Sequence, residues 1–329
     1  MHKKHVLSII LACILVILTG CNSNTTEQTI AMNDLKIGDY IEFGQYYEQP
    51  ILWRVINIDK DGNPLIFSDK ILSLKVFDSM GDYHKNIDRK EGGSSYWKDS
   101  NIRQWLNSSE NAGEIKWIQN PPNKNNVFNF DEEERNFAYD KEKGFLADGN
   151  FIQDERNIIK PVLHKILLSE TDEDKKEGGK SILYPNNDIE LAVSNYNDAY
   201  YQNLEDKAFL LDVNEIHDYV WENREILGEE YYIGKPTEVL EKKVTNYDLK
   251  QYVGTFSKNK PFSYYLRTPF AHTPSNLRTI SATGTVSDAS ATSVIFGGGI
   301  RPALFIEKSN ATIVSGKGTE SKPFTITKK

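Results

Sequence analysis

Cysteine is nearly missing from this chain: 329 residues hold two, Cys13 and Cys21. Cys13 lies inside the apolar run 6–18, so removal of that run leaves one thiol and excludes any disulfide within the chain. A chain of this length does not need one, because the fraction of surface buried on folding rises with size. Positive charge is also in short supply. Lysine and arginine number 39 against 47 acids, a net charge of −8, which excludes the basic footprint that nucleic acid requires. No nucleic-acid partner is expected.

Catalytic signatures are missing as well. No Gly-x-Ser-x-Gly elbow occurs, which removes the strand-to-helix nucleophile of the α/β-hydrolases. His84, His164, His217 and His272 are scattered, without an i, i+4 pair beside a glutamate and without cysteine partners; neither a metal nor a cofactor is expected. Gly316-Lys317-Gly318 is not a phosphate loop, since Ala311 stands where the first glycine belongs and Gly318 replaces the hydroxyl residue.

What is there begins with Lys3, Lys4 and the run 6–18, which is too short to cross a bilayer as a mature helix. A basic start, an apolar core and small residues beyond it mark a removable export segment over residues 1–20. Leu18-Thr19-Gly20-Cys21 then resembles the lipobox of bacterial lipoproteins. The resemblance implies alkylation of the Cys21 thiol with diacylglycerol and a cut after Gly20, so that the mature chain starts at Cys21. Loss of both lysines moves the net charge from −8 to about −10. One acyl chain binds a membrane only marginally, at about 10⁴ M⁻¹, and each further buried CH₂ adds about 0.8 kcal/mol. Two or three chains would make the attachment effectively permanent. The expected place is the extracytoplasmic face of the cell membrane, with the membrane as a partner through Cys21.

Residues 21–33 are polar and lack apolar periodicity, which predicts a tether. Alternation follows, with Tyr40, Glu42, Gly44 and Tyr46 on one side of a strand and Ile41, Phe43 and Gln45 on the other. A second strand over 51–58 carries Trp53 and Val55, and Asp61-Gly62-Asn63-Pro64 turns the chain into a third over 65–68, an antiparallel meander. Asp59-Lys60-Asp61-Gly62 looks like the start of a calcium loop, but Lys70 stands at the twelfth position, so a turn is predicted.

Ser100 opens a helix with Ile102, Trp105 and Leu106 at helical spacing. Asp131 with Glu134, and Asp212 with Glu215, have capping-box spacing; the second pair follows a strand-like run at 208–211 and precedes Ile216, Tyr219 and Val220. Residues 171–180 are charged and glycine-containing and predict an exposed loop. Strands are expected over 264–267 and 303–307, separated by a long Ser, Thr, Ala and Gly-rich segment, and 312–327 reads as a hairpin. The pattern as a whole predicts an α+β chain, mainly antiparallel sheets with a few short helices.

Six phrases occur in a recognisable order: Ile41-Glu42-Phe43-Gly44, Pro50-Ile51-Leu52-Trp53-Arg54-Val55, Ile102-Arg103-Gln104-Trp105-Leu106-Asn107, Lys207-Ala208-Phe209-Leu210-Leu211, Tyr265-Leu266-Arg267-Thr268-Pro269 and Gly299-Ile300-Arg301-Pro302-Ala303-Leu304. Over about residues 38–306 the chain resembles a bacterial domain of unknown function, family 6273, whose members look like exported or surface-attached proteins, often Gram-positive. The ending of that family is similar to C-type-lectin-like and sulfatase-modifying domains. The resemblance therefore implies one lectin-like domain over 34–308 with insertions near 120–159 and 168–206, followed by a hairpin-like tail over 309–329. Sulfatase-modifying chemistry depends on cysteine or copper–thiol chemistry, which a chain with Cys21 lipidated does not supply.

The resemblance implies a non-catalytic binding module for a glycan, peptide or cell-wall fragment. Aromatic and amide side chains near polar loops suit stacking on sugar faces, with Trp97, Tyr264, Tyr265, Arg267 and Asn276 as candidates. Arg267 and Arg301 also suit a structural part, paired with buried acids such as Glu42. Three alternatives remain: the two-lobed substrate-binding lipoprotein of an importer, an envelope hydrolase with a carboxylate pair about 5–9 Å apart, and a structural subunit of an envelope complex.

Overall fold

A computed structural model describes residues 31–127, 137–180, 189–196, 198–245, 256–294 and 297–329. The export segment, Cys21 and the Asp131–Glu134 capping box lie outside the described residues. β1 (Tyr40–Tyr46) follows the expected alternation only as far as Phe43: Tyr46 joins Ile41 and Phe43 in the core, while Gln45 is exposed. The cause is Gly44, whose φ of +66° makes a bulge and shifts the pairing with β2 (Gln49–Ile58) between Glu42 and Gln45. An inserted residue exchanges the two faces beyond it. Only glycine fits, because a Cβ there would lie 2.2 Å from the Phe151 ring.

β3 (Pro64–Ser68) completes the antiparallel meander. In the connecting turn Asp59 accepts hydrogen bonds from the amides of Asp61 (2.9 Å) and Asn63 (2.7 Å) and holds Lys160 Nζ at 3.1 Å. Burial opposes its charge, yet Asn63 and Lys160 pull the Asp59 pKa down to about 2. Lys160 and Asn63 satisfy the Asp59 carboxylate in this turn. β4 (Ser73–Leu74) and α1 (Ile87–Gly92) lead to α2 (Asn101–Leu106), where Ser100 caps Arg103 N at 3.3 Å and Ile102, Trp105 and Leu106 are buried as read. α3 (Gln153–Ile158), β5 (Ile159–Lys160) and β6 (Val162–Leu167) follow.

Residues 171–180 are not simply an exposed loop. A 3₁₀ turn, Glu170–Lys175, buries Asp172, which grips Arg89 through both oxygens at 3.1 and 2.5 Å and accepts from Ser169 and Lys175. A buried carboxylate needs such partners, and Arg89 is too distant in sequence for a local charge pattern to reveal it. The chain continues through α4 (Ile189–Tyr196), β7 (Tyr201–Asp206), β8 (Ala208–Phe209) and α5 (Val213–Glu215), where Asp212 and Glu215 form the expected capping box. One π-helical stretch, Ile216–Trp221, prolongs α5 before α6 (Arg224–Leu227) and α7 (Glu238–Thr245).

The Ser, Thr, Ala and Gly-rich segment contains strands of its own. Between β9 (Tyr264–Pro269) and the last strands it folds as β10 (Asn276–Ile280), β11 (Val286–Ser290) and β12 (Gly299–Ile300). β13 (Ala303–Ile306), β14 (Ala311–Ser315) and β15 (Phe324–Lys328) complete the chain. The largest sheet runs β14-β15-β1-β2-β3-β13-β5, with β8 also on β13; the others run β11-β10-β9-β12-β4 and β6-β7. β14 and β15 form the expected hairpin, but β15 pairs in parallel with β1, so residues 309–329 are part of the main sheet rather than an appended tail. Met32 and Leu35 are core residues, so the domain starts inside the stretch read as tether. Among the described residues the main apolar core extends from Met32 to Ile326, with Tyr96, Leu168 and Tyr200 as a small separate cluster, in an α+β fold that is mostly sheet.

Candidate functional site

The last residue of β7, Asp206, is 3% exposed and receives three donors from separate elements. Trp97 Nε1 lies at 2.9 Å, Arg103 Nε at 2.6 Å and His164 Nε2 at 2.9 Å. These donors hold the Asp206 carboxyl below the usual range despite its burial. On β6 alternation sends Leu163 outward, 71% exposed, and His164 inward, where its ring meets Phe209 edge-on at 4.7 Å. Burial and the Arg267 charge push the His164 pKa down, so the ring is neutral near pH 7. A neutral ring facing a carboxylate donates from Nε2. Its buried Nδ1 has no hydrogen-bond partner among the described residues.

Next to this group Arg267, from β9, is 1% exposed. Its Nη2 lies 3.0 Å from Asp212 and its Nη1 2.5 Å from Glu215, and it also donates to the Leu210 and Lys165 carbonyls. The capping box puts the two acids side by side, because the Asp212 amide donates to Glu215 and the Glu215 amide to Asp212. Burial and the neighbouring Glu215 push the Asp212 pKa up to about 6. Glu215, though buried, is held below the ordinary range by Arg267. Arg103 and Arg267 thus face Asp206, Asp212 and Glu215, with one negative charge in excess.

In front of the cluster opens a groove of about 370 Å³, lined by Leu65, Leu163, His164, Phe209, Glu215 and Phe305 among others. Tyr219 reaches it from the π-helical stretch, and such turns are frequent at functional sites. Glu215 uses Oε2 for Arg267 and the Asp212 amide, which leaves Oε1 unpartnered among the described residues. Tyr219 also lines the groove, and its hydroxyl has no hydrogen-bond partner among the described residues either. Among the described residues no group of three or more His, Cys, Asp or Glu is placed to hold a metal ion.

The residues singled out from the sequence divide. Trp97 and Arg267 converge behind the groove, Trp97 through Asp206 and Arg267 through Glu215. Tyr264 and Tyr265 lie elsewhere, each 1% exposed, with hydroxyls bound to the carbonyl of Tyr232 and to those of Ser290 and Ser293. Being interior, none of these four side chains offers a face to a ligand, and this corrects the stacking surface expected for them. Asn276 is half-buried and donates to Asp288 at 2.9 Å.

Arg301 is structural, but not through Glu42. It donates to the carbonyls of Ser68, Asp69 and Tyr231 and lies 4.1 Å from the centre of the Phe67 ring. Glu42 lines a second cavity of about 310 Å³ with Glu155 and Asn150. His164, Glu215, Tyr219 and Phe305 were not legible as a site. The available signal was local: the capping box at 212–215 directly follows a strand, and its acids are the buried partners of Arg267.

No curated protein and no solved structure matches the chain. Residues 61–308, which include His164, Asp206, Glu215, Tyr219 and Phe305, match the domain of unknown function DUF6273. The chain belongs to the DUF6273 family.

Proposed function

We propose that this protein is an extracytoplasmic lipoprotein, anchored to the cell membrane through lipidated Cys21, whose domain binds a glycan, peptide or cell-wall fragment without altering it. The observation that carries the binding reading is the groove. Its volume of about 370 Å³ falls in the usual range for small-ligand sites, about 300–1,000 Å³, and apolar walls with a few free polar groups are their usual make-up. A C-type-lectin-like architecture draws its support from the six ordered phrases and from the mixed α+β sheets.

Two features favour binding over hydrolysis. No serine, threonine or cysteine is among the described groove residues, and Glu215 and Asp59 are both held ionised, so neither serves as a proton donor near pH 7. In the second cavity both Glu155 oxygens accept backbone amides, Oε1 from Gly44 at 3.2 Å and Oε2 from Ile152 at 2.8 Å. The continuous core from Met32 to Ile326 favours a single body over an importer's two lobes.

Two measurements test the reading. Calorimetric titration of the full chain in detergent with solubilised peptidoglycan fragments should show binding that Phe305→Ala weakens at least about tenfold, the expected loss for a fully buried aromatic contact. Thermal melting of the same variant separates lost binding from lost folding. Undiminished binding by a folded Phe305→Ala chain would remove the groove from consideration. Cys21→Ser should move the protein from the membrane to the soluble fraction on cell fractionation, and retention in the membrane would contradict the anchor.

A further inference from the structure

We propose that the group recognised in this groove is a primary ammonium at the end of an aliphatic stem, a lysine-type side chain on a short peptide; this rests on the groove being the ligand site. Charge bookkeeping comes first. The wall of Arg103, Arg267, Asp206, Asp212 and Glu215 keeps one negative charge in excess, and the neutral His164 does not cancel it. At the rim Asp59 and Lys160 neutralise each other at 3.1 Å, and the adjacent Lys60 and Asp61 are both exposed. A cation is therefore attracted, and an anionic ligand is not.

The free atoms agree in kind. Glu215 Oε1 and the Tyr219 hydroxyl both accept hydrogen bonds, and both lack partners among the described residues. An ammonium is a donor with no acceptor capacity, so it satisfies both without leaving an unpaired group of its own. The Glu215 side chain is only 18% exposed, which limits screening by water and salt. The Phe305 and Tyr219 rings lining the same groove add attraction for a cation. The half-buried Val162 and the exposed Leu163 suit a methylene stem, because long cationic side chains lay their stems on apolar surface while the charged head finds polar partners. A neutral sugar would use the hydrogen-bond acceptors but leave the excess charge unanswered.

The test compares two ligands on unaltered protein. A tetrapeptide with an acetylated amino terminus and one lysine is titrated into the full chain in detergent at pH 7, beside the same peptide acetylated on Nε. The first should bind, and Nε-acetylation should weaken binding at least about tenfold, as loss of a charge-assisted hydrogen bond does. Glu215→Gln should reproduce that loss. Because this substitution also disturbs the Arg267 ion pair, the ligand comparison decides. Equal affinity for the two peptides overturns the ammonium, as does binding of peptidoglycan fragments without either peptide. If neither the peptides nor the fragments bind, the groove reading falls together with this proposal.

Discussion

Arg267→Met is expected to lower the unfolding free energy by about 3–5 kcal/mol, the range for removing one partner of a buried ion pair. Arg267 is 1% exposed and pairs with two carboxylates at once, Asp212 at 3.0 Å and Glu215 at 2.5 Å. Methionine preserves most of the volume, so the loss reports the charge rather than a cavity. The stranded acids would respond by taking up a proton, which makes the variant most unstable at high pH. Adding Asp212→Asn should recover part of the loss, since it removes one of the uncompensated charges. Denaturant unfolding measures each step, and a loss below about 1 kcal/mol would show that the cluster is less tightly coupled than its geometry implies.

Asp206→Ala should cost a similar amount, about 3 kcal/mol or more, because three donors lose their acceptor together. Trp97 Nε1, Arg103 Nε and His164 Nε2 all end on this one carboxylate. The substitution should also loosen the junction of α2 with the antiparallel β6–β7 pair, read as faster amide exchange in both. An unchanged exchange pattern would mean that other contacts hold that junction.

The same network sets the acid response. Asp206 has a lowered pKa in the fold, so its stabilisation is complete above the unfolded value of about 3.9 and is lost as pH falls through the folded one. His164 is also lowered: below about 6.5 the unfolded chain takes a proton that the fold resists, and stability falls. Asp212 runs the other way. Raised to about 6, it is protonated in the fold before it is in the unfolded chain, and so it adds stability as pH drops from about 6 toward 4. His164→Phe should therefore gain stability relative to the parent chain as pH falls below about 6.5.

Periodicity made the local elements legible. The β1–β2–β3 meander, the Ser100-capped helix, the Asp212–Glu215 box and the final hairpin all follow from alternation, helical spacing, capping chemistry and turn residues within a few positions. The face swap after Phe43 was less so, because it depends on Gly44 adopting a positive φ against Phe151, which lies 107 residues further along the chain. β10 and β11 were hidden by their serines, threonines and alanines, which alternate weakly in hydropathy and become strands through pairing with β9 and each other.

By itself the sequence determined the α+β class, the acidic balance and the scarcity of thiols, all properties of composition and short-range pattern. Only the tertiary structure decided which side chains share a site. Trp97, Arg103, His164, Asp206, Asp212, Glu215 and Arg267 span 170 positions of chain and meet because strands and helices bring them together. It also decided that Tyr264 and Tyr265 are core residues, since a tyrosine strand looks the same in sequence whether its rings face solvent or the interior. Burial and long-range electrostatics depend on what is packed against a residue, and neighbours in sequence do not specify that.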